Sequence, residues 1–158
     1  MKRFFSLFIA IVFMSGAVIA TGADLYSNIM PKNVISPDTS VSNNDNTTGT
    51  IVDRLGYGST LFIIQTGTLA DNDVTLTPTI QVCALDNCAD AASAASAELI
   101  GTVAGATFAD TDDNTIKSIG YKGTARYLRL VITPANNSGA ARFNAACLLG
   151  HKQYGPAQ

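Results

Sequence analysis

The alternation of apolar and polar positions divides the chain into three textures. Residues 4–20 form an uncharged, mainly apolar run. Residues 24–49 carry neither a helical stripe nor sustained alternation; they contain Pro31 and Pro37 and end in the polar stretch 40–49. This predicts an extended N-terminal arm. From residue 50 onward, short β-type runs are separated by turn residues.

The predicted strands begin with residues 50–54 and 59–66, broken by Gly56-Tyr57-Gly58. Leu61, Phe62, Ile63 and Ile64 are apolar on both faces, as in a central strand of a two-layer fold. Residues 75–85 alternate, with Leu76, Ile80 and Val82 against Thr75, Thr77, Thr79 and Gln81. The alanine- and serine-rich stretch 91–97 fits a helical turn or a loop, and the flanking strands favour a loop. Residues 99–103, 106–108, 115–121, 126–133 and 141–149 complete the set, with turns at 110–114, 122–124 and 134–139. About seven or eight antiparallel strands at this spacing predict an all-β sandwich of jelly-roll type over residues 50–150, followed by a tail at 151–158. Its expected core contains Leu61, Ile63, Ile80, Leu128, Leu130 and Ile132. No long internal repeat supports a propeller or solenoid.

The N-terminus adds an address. Met1-Lys2-Arg3, the apolar run and Thr21-Gly22-Ala23 are the three parts of a secretory signal peptide over residues 1–23, with cleavage after Ala20 or Ala23. The rival reading is an uncleaved anchor. The run sits at the lower limit for spanning a bilayer, and Ser15-Gly16 weakens its helix. No cysteine follows the run, which disfavours a lipoprotein.

The 158 residues suffice for one domain, and 47% hydrophobic against 14% charged residues excludes a charge-rich disordered chain. A formal net charge of −2 and a pI near 5.1 argue against nucleic acid as a partner. Removing residues 1–23 would take away Lys2 and Arg3 and make the chain more acidic still. With His151 the only histidine, a His-rich metal centre and a two-histidine mechanism are excluded by composition.

Candidate chemistry is sparse. Cys83 and Cys88 flank the turn Asp86-Asn87 and form a candidate disulfide in an exported protein. Cys147 lies in a predicted strand as a small apolar residue. No Gly-x-Ser-x-Gly elbow or phosphate loop occurs, and no feature selects a pair of carboxylates, so no catalytic, cofactor or metal residue is assigned. Asp110, Asp112 and Asp113 with Asn114 offer oxygen ligands of the kind calcium takes. They lack the glycine and closing glutamate of a calcium loop, and a solvated turn is the favoured reading. Asn46 and Asn136 head N-glycosylation patterns that matter only in a eukaryotic host. Alternation places Arg129 beside Tyr127 as a stacked surface pair.

The segments Ile51-Val-Asp-Arg-Leu-Gly-Tyr-Gly-Ser59, Thr66-Gly-Thr-Leu-Ala-Asp71 and Ile119-Gly-Tyr-Lys-Gly-Thr-Ala-Arg-Tyr-Leu-Arg-Leu-Val-Ile-Thr-Pro-Ala-Asn-Asn137, with Leu149-Gly-His151, resemble a family of small, mostly uncharacterised proteins encoded among the head genes of tailed phages and prophages. The resemblance spans residues 28–151. It implies a β-rich virion structural protein, of head-decoration or capsid-stabilising type, whose partners are other protein subunits or further copies of itself. It supplies no catalytic residues. The apolar start, the Cys83–Cys88 segment and the tail depart from the family pattern. Separately, residues 125–131 are similar to one strand of discoidin-like carbohydrate-binding sandwiches. That gives the alternative of an exported module recognising a surface glycan or another extracellular ligand. The first reading places the protein in the virion, the second outside the cytoplasm.

Overall fold

The structure, a computed structural model, describes residues 24–153. Residues 1–23, where a signal peptide is expected, and the end of the tail lie outside the described residues. Along the chain run a helical turn α1 (Leu25–Asn28), β1 (Ile29–Ile35), β2 (Ser40–Val41), β3 (Thr47–Asp53), β4 (Tyr57–Leu69), β5 (Thr75–Cys83) and β6 (Ala92–Ser93). A 3-10 turn (Ser96–Glu98) leads to β7 (Leu99–Ile100), α2 (Val103–Ala106), β8 (Phe108–Ala109), β9 (Ile116–Tyr121), β10 (Tyr127–Ala135) and β11 (Ala141–Lys152). They build two antiparallel sheets in a sandwich. The first has the order β1-β11-β4-β9-β7, with β2 also on β11; the second has the order β3-β10-β5-β6, with β8 also on β5.

The core lies between the sheets. Phe62, Ile64, Ile119, Tyr121, Phe143 and Leu149 project from the first sheet, and Leu76, Ile80, Leu128, Leu130 and Ile132 meet them from the second. Ile80, Leu128, Leu130 and Ile132 therefore stand in the core as alternation predicts. Leu61 and Ile63 do not. Phe62 and Ile64 are buried while Leu61 is 36% exposed and Ile63 is half-buried, so β4 presents its other set of side chains inward. The run is apolar on both faces, so its own period does not choose between them; its register sets Phe62 beside Cys147 and Ile119, and all three face inward.

Segment 24–49 is not a free arm. β1 pairs with β11 from Ile29 opposite Gly150 to Ile35 opposite Ala145. A register shift between Asn33 and Ile35 turns both Val34 and Ile35 inward. That bulge breaks the alternation that would have marked a strand. Gly49 lets β3 cross close by, because a Cβ there would fall 2.5 Å from Val34 Cγ1. The polar stretch is tied down as well: Asn137 Nδ2 donates to the carbonyls of Val41 (3.2 Å) and Asn43 (3.0 Å).

Three prolines sit within strands: Pro31 on the edge strand β1, and Pro134 and Pro78 where the ladder leaves room for a missing N–H. Pro134 extends β10 beyond the predicted end at residue 133; pairing with β3 stops at Ile132, so one edge of the strand is open there. Pro78 falls in the gap between β8, which pairs at Thr75 and Leu76, and β6, which pairs at Gln81 and Val82. Residues 103–106 form a helical turn that takes the end of the strand expected at 99–103 and the start of the one expected at 106–108. Thr102 caps it, its hydroxyl oxygen accepting from the Gly105 N–H at 3.0 Å.

Candidate functional site

The residues singled out by sequence are spread over the molecule. Cys83 and Cys88 are joined by a disulfide (S–S 2.07 Å), and the loop it closes is braced by Asp90, which accepts from the N–H groups of Ala84 (2.8 Å) and Leu85 (3.2 Å). Cys147 is a free, buried thiol, and burial pushes it up to about 12. His151, exposed at the end of β11, places Nδ1 2.9 Å from Ser59 Oγ. Asn46 and Asn136 are exposed.

The aspartate cluster does not converge on a cation. Asp112 pairs with Lys117 Nζ at 2.7 Å and accepts from the Ala109 N–H at 2.8 Å. The Lys117 hydrogen bond, then that N–H, hold its carboxyl below the usual range. Asp113 accepts from the Leu69 N–H at 2.7 Å. Among the described residues no group of His, Cys, Asp and Glu side chains is arranged to hold a metal.

Arg129 also differs from expectation. It donates twice to Gln81 Oε1 (2.9 and 2.8 Å) on the neighbouring strand, and the cation stacked on Tyr127 is Arg126, at 4.8 Å from the ring centre. Arg126 in turn makes a two-pronged ion pair with Asp53 (2.9 and 2.7 Å). The cross-strand partner won because Gln81 lies directly opposite Arg129 in the ladder.

Two surface features remain. The first is a cleft of about 380 Å³ at one end of the sandwich, between residues 54–58 and 123–126, with Arg54, Tyr57 and Arg126 on its walls. Arg54, only 8% exposed, donates through Nη1 to the carbonyls of Gly123 (2.8 Å) and Ala125 (2.9 Å) and lies 5.0 Å from the centre of the Tyr121 ring. It pins the two loops together. Nothing in its local sequence marks it as buried, since its acceptors lie about seventy residues away.

The second is the outer face of the first sheet. Strand pairing aligns Pro31, Leu148, Leu61, Gly120 and Ile100 in one row across five strands. Alternation puts this row on the side away from the core. Leu61, Ile100 and Ile116 are 36%, 58% and 61% exposed on this side. Asn33, Ala146, Ile63 and Ser118 form the next row, and Asn144, Gln65 and Ile116 the one after it. No outward-facing residue over the length paired with 59–65 is ionisable; Arg142 bounds one end and His151 the other. The outer face of the second sheet is more polar, carrying Thr75, Thr77, Thr79, Gln81, Arg129 and Thr133 around Val131 and Ile51.

Among the described residues no helix is long and apolar enough to cross a membrane. No protein-family model matches the chain, and no curated protein matches it. Among solved structures it is similar to dimeric latent PorU from Porphyromonas gingivalis, at 14% identity and a TM-score of 0.39. The match covers 79% of this chain and spans 12% of the PorU chain.

Proposed function

We propose that this chain is a non-enzymatic structural subunit of a phage- or prophage-type particle, of the head-decoration or capsid-stabilising kind, working through protein–protein contacts. One observation carries the reading: a charge-free face on the first sheet, crossed by a row of apolar residues (Pro31, Leu148, Leu61 and Ile100) and flanked by uncharged polar residues such as Asn33, Gln65, Ser118 and Asn144. Apolar surface organised in rows is the mark of a contact surface, whereas isolated exposed apolar residues are ordinary. The resemblance of residues 28–151 to phage head-gene products supplies the kind of particle. With β1 built into the sandwich, the contact falls to this face and not to a flexible arm.

The test is incorporation. Particles induced from the native host are purified and probed for the native chain and for Ile116→Glu, which puts a charge on an exposed position of the face. The native chain is expected in the particle, with Met1 or the processed N-terminus read by mass spectrometry, and the folded variant is expected to be lost. A native chain absent from every particle fraction refutes the reading.

The loop-end cleft favours a second reading, an exported module that binds a surface glycan. The exposed Arg126 and the Tyr57 ring on the cleft's walls suit sugar hydroxyls and ring faces. Glycan-array binding that disappears in Tyr57→Ala would establish this reading in place of the first.

A further inference from the structure

We infer that the outer face of the first sheet is covered by the same face of a second copy of this chain, in a face-to-face dimer that dissociates on dilution. The inference rests on the reading of that face as a protein contact and names its partner. Charge is the first argument. The chain is net negative, so two copies repel unless the surfaces they bring together are neutral. This face meets that condition over the whole length paired with residues 59–65, with its charges held at the two ends. A strongly charged partner would find no complement here.

Shape and area give the second argument. A two-fold axis running along the central row, midway between the two faces, would set that row against itself, which is the self-complementary arrangement of a closed dimer. Leu61 and Leu148, adjacent in that row, would then meet their own counterparts, with the two faces stacked at the spacing of sheets in a sandwich. Four strands about 4.8 Å apart and about seven residues of ~3.3 Å each, with the two residues of β7 at the edge, give a patch of roughly 450 Å² per copy. Two such patches bury about 900 Å², short of what a permanent dimer needs and within the range of weak, reversible association.

The experiment is sedimentation equilibrium of the full chain over a concentration series, with Leu61→Lys and Leu61→Glu beside it. Far-UV circular dichroism and the thermal midpoint confirm that each variant is folded; Ile116→Lys and Ile116→Glu, at a more exposed position, replace any that is not. The native chain should show a monomer–dimer equilibrium. Each variant should raise the dissociation constant at least tenfold, and an equimolar mixture of the Lys and Glu forms should regain association. Two results overturn the inference: a native chain that stays monomeric at its highest soluble concentration, or a dimer that persists unchanged in both single variants. A monomeric native chain that still enters particles through this face would remove the second copy as partner and leave the particle reading standing. Absence from particles with dimerisation intact would do the reverse.

Discussion

Adjacent residues on β4 face opposite environments, so truncating them one at a time tests the register of the central strand. Phe62 is 0% exposed, and Phe62→Ala leaves a cavity between the sheets at a cost of about 3–5 kcal/mol. Leu61→Ala removes roughly three methylene equivalents at ~0.8 kcal/mol each. With Leu61 36% exposed and open to solvent on one side, no closed cavity forms and the cost is at most about 1.5 kcal/mol. Urea unfolding of the two variants, followed by far-UV circular dichroism, separates these values. With a slope of about 1.5 kcal/mol per molar, the midpoint falls by about 2–3 M for Phe62→Ala and by about 1 M or less for Leu61→Ala. The slopes should match that of the parent. If Leu61→Ala costs as much as Phe62→Ala, the face assignment is wrong, and with it the exposed apolar row on which the contact surface rests.

Further outcomes follow from the same contacts. Arg54→Ala leaves the carbonyls of Gly123 and Ala125 without their donor and should cost about 3 kcal/mol in thermal or denaturant unfolding; Arg54→Lys should recover part of it. The carboxyls of Asp112 and Asp53 are held below 3.8 by hydrogen bonds from Lys117 and Arg126. Their stabilisation is present above the unfolded value and is lost as pH falls through the lower folded value. Thermal midpoints should therefore decline below about pH 4, and less steeply in Asp112→Asn. Cys147, buried and pushed up to about 12, should resist iodoacetamide at pH 8.5 in the folded chain and react at once in denaturant. Replacing Cys83 and Cys88 by serine opens a loop with a sequence separation of 5, and should lower stability by about 2 kcal/mol without changing the strand content.

The second sheet was the more legible of the two because its outer face is solvated. Threonines at 75, 77 and 79 alternate with buried residues, and Leu128, Leu130 and Ile132 declare their side by the same period. The first sheet is apolar outside as well as in, so periodicity shows a strand at residues 61–64 without giving its orientation. β1 escaped because Pro31 and the bulge at residues 33–35 disrupt the pattern, both being ordinary on an edge strand and both typical of a loop. The chemistry followed the same division. The disulfide partners lie close in sequence and could be named, and the Asp110–Asn114 segment was recognisable as a turn. Arg54 has distant partners and could not be found: its burial is decided by two carbonyls on the β9–β10 connection. The apolar outer face was hidden for a related reason. It exists only once Pro31, Leu61, Gly120, Ile100 and Leu148, drawn from five separate segments, stand in register.

The neighbours of β11 set the order in which this molecule can be made. The last strand lies between the first, β1, and the long β4, so the middle of the first sheet is missing until the C-terminal residues have been synthesised. Until then β4 has two apolar faces and an unfilled edge, and β1 has no strand in its sheet to pair with. Closure at that late moment joins segments more than a hundred residues apart, the kind of long-range pairing that folds slowly. A nascent or truncated chain lacking β11 is consequently a species with exposed strand edges, prone to aggregate. A truncation that removes β11 should therefore abolish soluble yield, although it leaves the whole of the second sheet's sequence intact.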